Sequence, residues 1–204
     1  MKILAISPHP DDLEIGCGGT LVKYTQRGAD VTALILTDGA IGGRAETRRS
    51  EQRDAAGILG VRRVLWGGFR DADLPGDREV IDRIEQAIEE IGPTFLFVPF
   101  GQDTHQDHRK VSSAALAATR YSRNVLFYEC PTSVKFHPTI FVDIGAEIEM
   151  KLEALKAHRS QVERTHIEGL SITEIARAMA QFRGTQSRVS HAEGFQAVRL
   201  FINL

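Results

Sequence analysis

The sequence predicts a Rossmann-like, doubly wound α/β fold: a mostly parallel sheet with helices on both faces. Three observations predict it. Five short apolar runs recur along the chain, the stretches between them carry the charge pattern of surface helices, and the first four runs are largely apolar, as strands covered on both faces must be. The first run is KILAIS (residues 2–7), followed by a Gly-rich turn and a helix from about Thr20 to Arg27. VTALILT (31–37) precedes an amphipathic stretch at 46–59, and RVLWG (63–67) precedes another at 77–91. FLFVP (95–99) leads into 109–121, and VLFYE (125–129) closes the series. Val, Ile, Phe and Leu suit these runs because such side chains pack well on a pleated surface. Then come TIFVDI (139–144), a helix from about Ala146 to Gln161, a second near Ile172 to Gln181, and a final strand-like run QAVRLFI. These form a small C-terminal α+β extension expected to cover one sheet edge.

A length of 204 residues suits one domain, with a core at 1–130 and a dependent extension at 131–204. Neither a repeat nor a linker divides it. A formal charge of −2, with arginines interleaved among glutamates, lacks the cationic excess that phosphate-backbone binding requires, so nucleic acid is not an expected partner. The opening apolar run stops at Pro8 and meets acids at once, and no stretch reaches the length of a membrane span. A cytoplasmic protein without an integral membrane segment is the expectation. Cys17 and Cys130 lie far apart, which argues against a disulfide framework or a Cys-rich zinc site.

Three segments follow strand ends: Pro8-His9-Pro10-Asp11-Asp12, Asp38-Gly39, and Asp103-Thr104-His105-Gln106-Asp107-His108. In an open parallel sheet, ligands bind outside the strand C-termini where strand order reverses, and the usual order 3-2-1-4-5 makes the first and fourth strands neighbours there. Imidazole and carboxylate together suit a catalytic metal site with three protein ligands and an open position for water. His9, Asp12 and His108 can supply that set. Asp11, beside the ligands, is the candidate general base, and His105 can polarise the acyl oxygen or protonate the leaving amine. Asp107 can hold an imidazole in its working tautomer. Taken singly, each segment also reads as a capped or solvated helix start. Their convergence at neighbouring strand ends favours the metal reading.

The motifs PHPDDLEIGCGGT, the pair His105-x-x-His108 within DTHQDHRKV, TRRSEQRDAAGILGV and KLEALKAHRSQ together resemble the PIG-L / LmbE-like family of zinc-dependent N-acetylglucosaminyl deacetylases. The resemblance implies one zinc ion per chain, or another divalent metal, on His9, Asp12 and His108, with Asp11 as base and His105 assisting the tetrahedral intermediate. It further implies substrate contacts from Arg48, in an Arg-x-x-Glu with Glu51, and from Asp71 in an F-x-D-x-x-L segment. A carboxylate suits sugar hydroxyls and an Arg can fork onto vicinal oxygens, although the arginines at 44–53 also suit a solvated, ion-paired helix. An aminosugar substrate and a homo-oligomeric state follow from the same resemblance. A non-catalytic nucleotide- or sugar-phosphate-binding module, a metal phosphoesterase and a hydrolase of another amide are the alternatives. Gly16-Cys17-Gly18-Gly19-Thr20 departs from the dinucleotide fingerprint at Leu21, so close packing is expected there, with Cys17 a buried filler.

Overall fold

Parallel strands in this chain alternate with helices because each apolar run is too short to bury itself and must be covered on both sides. The computed structural model describes residues 1–202. The elements run β1 (Lys2–Ser7), α1 (Asp12–Gln26), β2 (Asp30–Thr37), α2 (Ala45–Leu59), β3 (Arg63–Phe69), α3 (Asp77–Ile91), β4 (Phe95–Pro99), α4 (Gln106–Ala118) and β5 (Val125–Tyr128). The extension adds β6 (Ile140–Asp143), α5 (Ile148–Ala157), α6 (Ile172–Ser187) and β7 (Ala192–Arg199). All seven strands form one sheet in the order β3-β2-β1-β4-β5-β7-β6, parallel through β5 and antiparallel beyond it. The predicted 3-2-1-4-5 order holds, and the extension continues the sheet past β5; positions 203 and 204, at the end of the expected extension, lie outside the described residues.

Alternation along β1 divides the core. Ile3 and Ala5 join Leu13, Leu21 and Leu59 on one face, while Leu4 and Ile6 join Val80, Ile84 and Val111 on the other. Removing both faces from water is the main stabilisation of such a fold. Among the described residues, no helix is long and apolar enough to cross a membrane.

One expectation is corrected. The Gly-rich stretch is not a turn before a helix at Thr20; α1 already begins at Asp12 and runs through Gly16, Gly18 and Gly19. Glycine is tolerated inside that helix because its neighbours come very close. A Cβ at Gly16 would enter the Tyr128 ring, and one at Gly19 would lie 2.8 Å from Ile144 Cδ1. The helix is further pinned at mid-length by a buried ion pair, Lys151–Glu193 at 2.6 Å. Lys151 Nζ donates to the Ile15 carbonyl, and Glu193 accepts the N–H groups of Gly19 and Thr20. Helix, α5 and β7 are thereby tied together at one point.

Candidate metal centre and active site

The crevice lies at the C-terminal ends of β1 and β4. The β1 loop is held on both sides: Ser7 Oγ donates to the His9 carbonyl at 2.6 Å, and the Pro8 carbonyl accepts from Thr37 N and Oγ1, each at 2.9 Å. Asp11, the residue before α1, is left-handed at φ 96°, a conformation that costs a non-glycine residue energy and persists only where surroundings enforce it. The enforcing groups come from α2, one helical turn apart. Arg48 Nη2 donates to the Pro10 carbonyl at 2.6 Å and Nη1 to Asp11 Oδ2 at 3.2 Å, while Gln52 Oε1 accepts the Asp11 N–H at 3.2 Å. Gln52 Nε2 then donates to Glu14 Oε1 at 2.8 Å. The Asp11 carboxylate is thus aimed by a clamp rather than left free.

The β4 loop is ordered by its own acid. Asp103 Oδ1 accepts the His105 N–H at 2.8 Å, and Oδ2 meets His108 Nδ1 at 3.2 Å and accepts from Ser133 Oγ at 3.0 Å. His105 caps α4, its Nδ1 accepting from Asp107 N at 3.2 Å. In the neutral ring, that acceptor role puts the proton on Nε2.

The two loops meet at Asp12. His9 Nδ1 lies 3.2 Å and His108 Nε2 3.3 Å from the same oxygen, Asp12 Oδ2. The His9 and His105 rings stand 4.6 Å apart, and those of His105 and His108 5.0 Å. On its far side, His9 Nε2 faces Asp107 at 3.1 Å and Asp71 at 3.2 Å. Three overlapping groups have ligand atoms within 4.8 Å of one another: His9-His105-His108, Asp12-His108-Cys130 and His9-Asp71-Asp107. The expected His9, Asp12 and His108 are not one of these groups; they are joined through Asp12 Oδ2.

Charge explains why a cation suits this place. Burial opposes the charge on His9, yet Asp107, Asp12 and Asp71 hold its imidazole well above the ordinary range. His108 is raised likewise against burial by Asp12 and Asp103. Burial also works against the Asp12 carboxylate, which His108 and His9 hold well below its usual range. Asp11 differs: burial raises it, Arg48 offsets only part of that, and Asp12 raises it further. His105 is lowered by burial and by the positive His9 and His108, so it favours the neutral ring. A partly buried acid shifted toward neutrality, beside imidazoles and carboxylates that share one locus, can accept a proton while the others grip a metal.

Seven of the eight sequence-derived residues line one cavity, and the eighth, Asp107, sits behind His9. Asp11, Asp12, His9, His105 and His108 surround one cavity of about 590 Å³, which Arg48 and Asp71 also line. Arg48 is 3% exposed and engaged on Asp11 and Pro10. Asp71 faces His9 and accepts the Ile41 N–H at 2.9 Å. Asp107 sits on His9, as a tautomer-setting acid would, and accepts the Ala72 N–H at 2.9 Å.

Sequence reasoning placed Asp103 in the second loop without giving it a role and passed over Gln52, because no motif spells out their partners, His108 and the Asp11 N–H. His158, within the AHRSQ segment, was the remaining histidine that sequence reasoning singled out, for a helix-packing or hydrogen-bonding role; its partner Glu14 was missed, and the two lie wholly buried behind the clamp with nitrogen and oxygen 3.6 Å apart, too long for a hydrogen bond. Burial opposes the charge on His158, but Glu14 raises it overall. The AHRSQ segment was the one available signal. Cys130 has Sγ 3.7 Å from Asp12 Oδ1; burial and Asp12 push it up to about 12, so it donates as a thiol. A larger hollow of about 740 Å³ lies elsewhere, between Glu85, Pro93, Tyr121 and Phe201, and none of these acids or imidazoles reaches it.

The family described as PIG-L: GlcNAc-PI de-N-acetylase matches residues 4–119, the span that contains both loops. Diacetylchitobiose deacetylase of Thermococcus kodakarensis is 32% identical over 97% of this chain and 83% of its own length. The probable N-acetyl-alpha-D-glucosaminyl L-malate deacetylase 2 of Bacillus anthracis is 31% identical over 78% of this chain and 80% of its own. The solved N,N'-diacetylchitobiose deacetylase from Pyrococcus horikoshii, complexed with its inhibitor MPG, superposes with a TM-score of 0.85 at 30% identity, covering 97% of this chain and 83% of that one.

Proposed function

The chain belongs to the PIG-L family, and from that premise we propose that it is a zinc-dependent hydrolase that removes the N-acetyl group of an N-acetylglucosamine-type aminosugar or conjugate, releasing acetate and the free amine. The observation that carries the reading is the meeting of His9 and His108 on Asp12 Oδ2 beside the clamped Asp11 carboxylate. Two imidazoles and one carboxylate fit a borderline divalent ion, and the carboxylates behind the imidazoles fit the orienting partners such ligands use. His9, Asp12 and His108 would hold the ion, which would supply an acidified water and Lewis-acid polarisation of the acyl oxygen.

The remaining work falls to the chain's own groups. Asp11 takes the proton of the attacking water; burial and Asp12 raise its affinity for protons, which supports that role. His105, with Nδ1 occupied by Asp107 N, donates from Nε2 to the oxygen on which negative charge develops. The C–N bond then breaks, the water oxygen stays with the acyl carbon, and the amine leaves with a proton returned from Asp11. Asp103 and Asp107 keep His108 and His9 turned toward Asp12. Arg48 aims Asp11, and Asp71 holds the other face of His9 beside the substrate cavity. Cytoplasmic action and assembly into a homo-oligomer belong to the same proposal; the buried unpaired thiols of Cys17 and Cys130 support a reducing compartment.

The test is release of acetate and amine from a panel of N-acetylated sugars, including N-acetylglucosamine and N,N'-diacetylchitobiose. Turnover that stops on chelation and returns with added zinc is the expected result. Zinc-loaded protein that frees acetate from none of them would end the proposal.

A further inference from the structure

The cavity that holds the acids and imidazoles has a second wall of different chemistry. Ile41 on the loop after β2, Ile167 on the segment before α6, and Ile172 and Ile175 on α6 line the same space. Ile41 is 72% and Ile167 55% exposed. A single exposed isoleucine means little, but four converging from three separate segments on one cavity mouth is not the leftover face of one helix. The loop that carries Ile41 is linked to the segment ahead of Ile167, since Gln161 Nε2 donates to the Gly42 carbonyl at 3.0 Å and Arg164 Nη1 donates to the same oxygen. The wall is therefore built, and it continues directly from the reacting groups.

Resting on the deacetylase reading, we propose that the preferred substrate carries an apolar aglycone next to its acetamido sugar, seated on Ile41, Ile167, Ile172 and Ile175. Two features of the wall select that class. Sugar hydroxyls are natural partners of carboxylates, yet among the described residues the outer lining beyond Asp71 contains no Asp or Glu, and its polar members Gln161, Arg164, Thr165 and His166 are interleaved with the four isoleucines. Several of those polar groups are already engaged on the protein itself: Arg164 and Gln161 donate to the Gly42 carbonyl, and Thr165 Oγ1 donates to the Leu170 carbonyl at 2.6 Å. Apolar lining with a few convergent polar groups at one end is how small-molecule sites combine affinity with orientation.

The experiment uses zinc-loaded full-length protein and a series of alkyl 2-acetamido-2-deoxyglucosides from methyl to hexyl, with kcat/KM measured for each. In parallel, calorimetry measures binding of the corresponding free-amine alkyl glucosaminides, which needs no turnover. Full burial of a methylene is worth roughly four-fold, so a half-open wall is expected to give about two-fold per methylene and roughly thirty-fold from methyl to hexyl. The heat-capacity change of binding should become more negative along the series. The double variant Ile41→Ser/Ile167→Ser should flatten both dependences. A wild-type protein indifferent to chain length in both assays overturns the proposal. So does a slope that survives the double variant, or a double variant that alters only sedimentation, which would give the wall to a second copy of the chain. Amine binding that tightens with chain length while no glycoside is deacetylated would instead retire the reaction and keep the wall.

Discussion

Helix α1 carries two buried charge clusters roughly two turns apart, and they are built on opposite plans. At its middle, Lys151 and Glu193 pair at 2.6 Å, and the remaining Glu193 capacity is filled by the Gly19 and Thr20 N–H groups. That cluster is balanced and closed. At its start, Asp11 and Asp12 join His9, His105, His108, Asp71 and Arg48 around a cavity, with Asp103 and Asp107 behind, a left-handed Asp11 backbone and acid and base affinities pushed apart. That cluster is crowded and strained, and it opens on solvent. Burial of charge is common to both, so burial does not mark function; uneven charge, held strain and access do.

The comparison predicts opposite costs for single changes. Asp11→Asn should lower kcat by about 10²–10⁴-fold while metal content holds, because it removes a base and no ligand. Steady-state kinetics with elemental analysis checks this, and near-normal turnover would break the functional half of the comparison. Lys151→Met should leave a buried carboxylate unpaired and cost about 3–5 kcal/mol of folding stability, with kcat of the folded fraction unchanged. Denaturant titration reads the first, and a collapse of kcat in folded protein would merge the two clusters into one machine. Asp103→Asn should weaken metal binding about 10–100-fold through His108, as read by competition with a chelating dye.

The smallest effect is on pH dependence. His9 and His108 are raised above the ordinary 6.5, so without metal their stabilisation is fully present below that value and fades as pH rises through the higher folded-state values. Asp12 is depressed from 3.8, so its share is present above that value and lost as pH falls through the lower one. A cation needs neutral imidazole and competes with those protons, so the rise in Tm on adding zinc should grow from about pH 6 to about pH 9. A rise that shrinks over that range would contradict the ligand assignment.

The fold was legible where local chemistry and the final structure agree. Helix α3 runs from Asp77 to Ile91 as its periodicity predicts, and β6 and β7 form from the apolar runs of the extension. The start of α1 was not legible. Three glycines weaken helix propensity, and what overrides them is close contact with Tyr128 and Ile144, more than a hundred positions away. In the site, residue types carried the acids and imidazoles of the two loops. The clamp did not show: Gln52 is one polar residue on a charged helix until the fold brings it to the Asp11 N–H. For Arg48 the resemblance implied a substrate contact, and the residue does line the cavity; its engagement on Asp11 at 3.2 Å is what the sequence does not spell out.

Metal stoichiometry in two histidine variants tests the centre most directly. Purified wild-type protein and His105→Ala should each bind one zinc ion per chain in a calorimetric titration, and His108→Ala should bind it weakly or not at all. Stoichiometric, tight zinc in His108→Ala, or its loss in His105→Ala alone, would contradict an ion held on Asp12 between His9 and His108.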